Sequence, residues 1–196
     1  MIEFYIGKVR FNIEFSFLAV IALLGVLDNG RNFIYGLWVC IIHEVGHIIP
    51  MFLLGEKVRA VRFHACGINI SPQKSIIRPV YQDIIIILGG ATLNILLGVM
   101  FYISDMGINA QIFASMNLIL GLFNLLPYTN FDGGTLILKI AEYFNGDTTE
   151  TRKVLRFVNC ILSIALLAFL LVNHIINLTL IITVTYLIMV EIIGNG

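Results

Sequence analysis

The sequence predicts an all-α polytopic membrane protein: a bundle of about six transmembrane helices with short β-strands at the membrane surface. Three observations carry this. Of 196 residues, 59% are hydrophobic and 12% charged, with a mean hydropathy of +0.95, whereas a soluble domain carries about 25% charged residues. The apolar residues gather into segments that approach the roughly 20 residues of a spanning helix. Between them lie short stretches that alternate apolar with polar residues, the pattern of a half-buried strand. Twelve Lys plus Arg balance twelve Asp plus Glu, and the pI is near 6.9. That leaves no basic excess to attract nucleic acid, which is excluded as a partner.

Residues 1–14 read as strand, because Phe11, Ile13 and Phe15 alternate with Asn12, Glu14 and Ser16, and Gly7-Lys8 offers a turn. No small-residue cleavage pattern follows the first apolar run, so that run is expected to be retained. Spans are expected at 15–27, 33–54, 84–103, 110–126, 154–172 and 175–193. Within 55–81, the stretches 58–64 and 67–71 read as two strands around Ala65-Cys66, a hairpin whose second strand either offers an edge for an unwound peptide or only covers the helix ends. Residues 127–153 open with a turn-forming cluster, and an apolar segment at 135–144 is closed by Asn145-Gly146. The expectation is one membrane-embedded domain over 1–196, with its core at 33–134 and a C-terminal helical pair at 154–193.

Lys and Arg in short loops mark the cytoplasmic side. With the N-terminus inside and six spans, every Lys and Arg except Arg31 falls on one side, so both termini are expected to be cytoplasmic. Cys40, Cys66 and Cys160 form an odd, widely spaced set without CxxC, and are expected to be small packing residues. His64 with Cys66 offers too few ligands for a metal, and His174 is expected to be a solvated turn residue.

The chemistry lies in the second span, where His43-Glu44-Val45-Gly46-His47 spells HExxH. Residues four apart share a helical face, so two imidazoles can meet one ion with Glu44 beside them as a base. Ionisable residues within spans are costly and usually functional; the alternative here is a polar cluster that packs helices. A hydrolytic zinc site needs a third protein ligand, and Asp132 is the best candidate. It follows Asn124, Pro127 and a run of turn residues, and precedes Gly133-Gly134. At 1.5 Å per residue, His47 and His43 lie roughly 10 to 16 Å below the cytoplasmic end of their span. A chain broken at Pro127 can keep Asp132 at membrane depth if it lines a cavity. Taken alone Asp132 reads as a loop Asx-turn before Gly-Gly, and it is the presence of HExxH that makes it a ligand candidate.

These residues resemble the site-2 proteases, the intramembrane zinc metalloproteases of peptidase family M50. His43, Glu44 and His47 match the family's HExxH, and Asn124, Pro127, Asp132 and Gly133 match its NxxPxxxxDG. The family's Gly-Pro-x-x-Asn stretch is met by Gly90-Ala91-Thr92-Leu93-Asn94, with Ala91 in place of proline. Arg78-Pro79 and the N-terminal strand region are most similar to the bacterial subgroup that includes stage IV sporulation protein FB. With the sequence ending at Gly196, the C-terminal regulatory domain of some members of that subgroup is expected to be absent. The resemblance implies an enzyme with one Zn2+ per chain in a bacterial cell membrane, its site opening to the cytoplasm. It would cut membrane-anchored or membrane-associated proteins within or near the lipid bilayer, with a membrane regulator as a further partner.

In that mechanism zinc lowers the pKa of water toward about 7, and Glu44 takes the proton and later delivers it to the leaving amine. A membrane helix must unwind to be cut, and Asn94 and Asn124 can bind the exposed backbone or, alternatively, hydrogen-bond between helices. Pro50 frees the carbonyl of Gly46, which either admits water or kinks the helix. Two other functions stay open. A catalytically silent scaffold has no need of Glu44, and a divalent-metal transporter would show repeated halves or paired broken helices, neither of which is clear in the sequence.

Overall fold

The computed structural model describes residues 1–15, 17–18, 31–56, 58–64, 67–72, 79–104, 106–173 and 178–193. The expected span at 15–27 falls almost wholly outside them, as do Ala65-Cys66, Lys57, Lys74, Arg78 and His174. The chain divides into two compact units, Met1–Phe123 and Asn124–Gly196.

The first unit opens with β1 (Ile2–Ile6) and β2 (Val9–Ile13), an antiparallel hairpin registered from Ile2↔Ile13 to Ile6↔Val9. Gly7, at φ 62°, takes the left-handed conformation that a two-residue turn favours. After helix α1 (Arg31–Leu53), β3 (Val58–His64) and β4 (Gly67–Pro72) form the second expected hairpin, with a register irregularity between Val58 and Ala60. The two hairpins are joined. β2 runs parallel to β3, from Arg10↔Ala60 to Ile13↔Phe63, so one sheet is ordered β1-β2-β3-β4. A parallel pair needs a long crossover, and the segment that contains α1 supplies it. Among the described residues β4 pairs only with β3 and is therefore an edge.

Helix α2 (Val80–Ile103) starts after Pro79, whose φ of −59° already suits a helix entry. Its buried residues Gly90, Asn94 and Gly98 recur every four residues on one face, with Ala91 beside them. Small residues there let neighbouring helices approach closely. α3 (Ile108–Asn124) meets this helix where Gly98 faces Leu118 and Gly121 faces Ile95. Large apolar side chains such as Trp38, Phe52, Leu96, Tyr102 and Ile119 point outward. Apolar surface on that scale requires a partner other than water, and a bilayer provides one.

The second unit holds α4 (Asp132–Asn145), α5 (Thr149–Val172) and α6 (Leu178–Ile193). Gly146, at φ 70°, ends α4 with its N–H donated to the Glu142 carbonyl. Asp147 then receives the Thr149 N–H at 2.9 Å and the Thr149 hydroxyl at 2.7 Å. Those bonds, the hydroxyl's first, hold its exposed carboxyl below the usual carboxylate range. On α5, Leu155, Asn159 and Ser163 are buried at intervals of four, and on α6 Val184, Leu187 and Glu191 form the matching buried row.

Among the described residues three helices are long and apolar enough to cross a membrane, spanning Asn32–Leu53, Val80–Ile103 and Thr149–Val172, against the six spans expected. α3 has 17 residues and α6 has 16. The expected 110–126 span ends two residues early, at Asn124, because the residue before a proline is driven out of the helical region and Pro127 follows closely. Cys40 is exposed on α1 instead of packed, and Cys160 is half-buried; both are free thiols, and Cys66 lies outside the described residues.

Candidate metal centre

One turn of α1 separates His43 from His47, and their Nε2 atoms stand 3.3 Å apart with the rings nearly perpendicular, at 87°. Two imidazole nitrogens bound tetrahedrally to one zinc at about 2.0–2.1 Å would be separated by about 3.3–3.4 Å. The pair therefore already has the bite of a zinc chelate. His47 Nδ1 lies 2.8 Å from the carbonyl of Ile86 on α2. A carbonyl only accepts, so Nδ1–H donates to it and the Nε2 lone pair is left for a metal. His43 is buried, and Glu44, next in sequence, is half-buried.

The helix behind this pair is shaped to it. A Cβ at Gly90 would stand 2.8 Å from His43 Cε1 and nearer still to the His47 ring, so only glycine leaves room for both imidazoles. At Gly46 a Cβ would meet the Gly89 carbonyl at 2.5 Å, which means that α1 and α2 touch backbone to backbone. Pro50 has no N–H for the Gly46 carbonyl four residues earlier. That carbonyl faces the Gly89 backbone, where a Cα–H can approach it. The two sequence readings of Pro50, water entry and a simple kink, thus meet a third arrangement in which the freed oxygen abuts the neighbouring helix.

Asn94 is fully buried, and its Nδ2 donates to the Val39 carbonyl at 3.3 Å. Val39, His43 and His47 follow one another at intervals of four, so this bond ties α2 to α1 one turn from the metal-binding pair. It is the interhelical bond that the sequence allowed as the alternative to substrate binding. Ala91 occupies the position of the family's proline, and α2 continues through it unbroken because alanine keeps the N–H that proline lacks. Asn124 ends α3 and is half-buried.

In the second unit, Asp132 is the first residue of α4 and is half-buried. A carboxylate suits that position, because unpaired N–H groups and the helix dipole make the N-terminus positive. The turn before it is closed by Phe131 N–H to the Tyr128 carbonyl at 2.9 Å. Gly133 presses on the Leu125 and Leu126 carbonyls, and Gly134 on the Tyr128 carbonyl, so closely that no Cβ fits at either. The Gly133-Gly134 pair is thus a packing requirement of the turn that presents Asp132.

Sequence reasoning missed Glu191, Asn159, Ser163 and Thr129, which form a buried polar network beneath this turn. Glu191 is 4% exposed and accepts from the Thr129 N–H at 3.0 Å and from Asn159 Nδ2 at 3.2 Å. The signal was present: Glu191 is an ionisable residue inside an apolar helix, where a charge is costly unless it serves a partner.

A profile of Peptidase family M50 matches residues 106–172, the stretch that runs from the start of α3 through Asp132 to the end of α5. No curated protein matches the chain. Among solved structures the chain is similar to the Site-2 Protease from Methanocaldococcus jannaschii, with a TM-score of 0.69 and 23% sequence identity over 97% of this chain and 93% of that one. The chain therefore has the fold of that protease, and the profile match covers the segment that carries Asp132.

Proposed function

We propose that this protein is an intramembrane zinc metalloendopeptidase of the site-2 protease type, in which His43, His47 and Asp132 hold one Zn2+ and Glu44 is the general base. The observation that carries the reading is the His43–His47 pair, whose 3.3 Å separation, with His47 Nδ1–H donated to the Ile86 carbonyl, fits a zinc chelate. Two imidazoles and a carboxylate, one donor atom each, make a three-ligand set that suits a hydrolytic zinc. Zinc there supplies a Lewis acid that brings the pKa of water toward about 7.

Glu44 takes the proton of the attacking water as oxygen adds to the scissile carbonyl carbon. It then delivers that proton to the leaving nitrogen as the C–N bond breaks. Asn94, beyond its bond to Val39, and Asn124 are proposed to meet the backbone of a locally unwound substrate. That substrate is a membrane-anchored or membrane-associated protein, cut within or near the bilayer, with the site opening to the cytoplasm and both termini on that side. Residues 1–13 and Arg78-Pro79 favour the bacterial subgroup that includes stage IV sporulation protein FB, and a bacterial cell membrane as the location.

The test is the purified protein in lipid, scored for zinc content and for cleavage of a membrane-anchored test protein. Glu44→Gln is expected to keep about one zinc and to lose roughly 10²–10⁴ in rate, the usual contribution of a general base. Chelation of the wild type is expected to abolish cleavage, and zinc to restore it. Near-normal cleavage by Glu44→Gln, or cleavage indifferent to chelator, would overturn the reading.

A further inference from the structure

We propose that Glu191, at the end of α6, is a positioning residue for Asp132: it clamps the turn from which Asp132 enters α4. The inference rests on the reading of Asp132 as a zinc ligand.

Three consecutive residues of the turn are each tied to the C-terminal helix pair. The Pro127 carbonyl accepts from Asn159 Nδ2 at 2.8 Å, the Tyr128 hydroxyl bonds Ser163 Oγ at 2.5 Å, and the Thr129 N–H donates to Glu191 Oε1 at 3.0 Å. The Thr129 hydroxyl also lies 3.1 Å from both oxygens of Glu191. Asn159 links the set, since the two hydrogens of its amide serve Pro127 on one side and Glu191 on the other. Asn159 and Ser163, four residues apart on α5, are fully buried and share a face.

Burying a carboxylate in an apolar helix is expensive, and helix packing alone has no need of it: apolar residues such as Val184 and Leu187 serve the same buried row. What Glu191 adds is an acceptor for a backbone N–H that belongs to neither α3 nor α4. Asp132 lies three residues beyond Thr129. The intervening chain has no slack, because Phe131 N–H is bonded to Tyr128 and Gly134 is seated against the Tyr128 carbonyl. A displacement of the turn is therefore passed on to the Asp132 carboxylate. A metal ligand set loses affinity when the groups that orient it are removed, typically by 10–100-fold.

The experiment compares wild type, Glu191→Leu, Glu191→Gln, Thr129→Val and Asp132→Asn in lipid, with two readouts. The first is backbone amide exchange in the metal-free protein, and the second is zinc affinity by competition with a chelator. Glu191→Leu is expected to speed exchange at 128–131 at least tenfold, with the centre of α5 unchanged, and to weaken zinc at least tenfold. Glu191→Gln keeps the Oε1 acceptor and is expected to match wild type in both, a rescue that a bare requirement for charge would not give. Should Glu191→Leu fail to fold, Thr129→Val removes only the hydroxyl contacts and is expected to weaken zinc about threefold. Wild-type exchange at the turn, or wild-type zinc affinity, in the variant so used overturns the proposal if Asp132→Asn has lost affinity. If Asp132→Asn itself binds zinc normally, the ligand assignment fails first, and the positioning role falls with it.

Discussion

At the scale of single residues, the division between what the sequence discloses and what it hides follows from helical geometry. His43 and His47 are four apart on one helix, so their meeting is dictated by 3.6 residues per turn; the motif is legible without a structure. Gly90 is 43 residues past His47, and nothing local says that its missing side chain makes room for both rings. Gly90→Ala is therefore expected to overpack the site by about 1–3 kcal/mol, seen as zinc affinity weakened about tenfold or more with helix content preserved. Unchanged affinity would mean that α2 yields without disturbing the imidazoles. Asp132→Asn replaces a charged oxygen donor with a poorer neutral one, so zinc retained after dialysis and cleavage should fall together. Asp147→Asn, on an exposed carboxyl that only caps α5, should leave both at wild-type levels. The lowered carboxyl of Asp147 favours the folded state above the unfolded carboxylate range, and this contribution is lost as pH falls through its folded value. Solvent screening keeps that effect small.

The sheet shows where sequence reading stops at the scale of elements. Alternation of two residues identifies β1 to β4 and their two antiparallel turns, because each hairpin is local. The β2–β3 pairing joins residues about 50 positions apart through a crossover that contains α1, and periodicity specifies a face, never a neighbour. The helix count suffers from the same blindness. Apolarity at 110–126 does not reveal that a turn begins at residue 125, with Pro127 within it. Among the described residues β4 is an edge, and it is the proposed place for an unwound substrate to add as a further strand. Proline at Asn69 removes one donor and disturbs the strand; cleavage is expected to fall while zinc content stays at one per chain. Asn69→Ser should cleave normally. Proline at position 69 without effect on cleavage would leave the edge a mere cover for the helix ends.

For the whole molecule, the physical question is which side of the bilayer the chemistry faces, and the proposed cytoplasmic orientation rests on charge placement. The outward apolar side chains of α1, α2 and α5 demand a hydrocarbon environment but are the same in either orientation. Lys and Arg break that symmetry: all but Arg31 of the twelve fall on one side of the six-span arrangement expected from the sequence, and basic loops stay in the cytoplasm. Two of those eleven also mark their connection as lying in water. Lys139 and Lys153, at the α4–α5 connection, form ion pairs with Glu142 and Glu150 at 2.8 and 2.7 Å, exposed contacts that are expected in water and not in lipid. Accessibility in intact cells then checks the orientation. In a background without Cys40, Cys66 and Cys160, a cysteine replacing Lys74 is expected to resist a membrane-impermeant thiol reagent until the cells are opened. One replacing Asn109, at the start of α3, is expected to react at once. The opposite pattern would turn HExxH toward the outer face, so that the substrates would be proteins presented outside the cell instead of those reached from the cytoplasm.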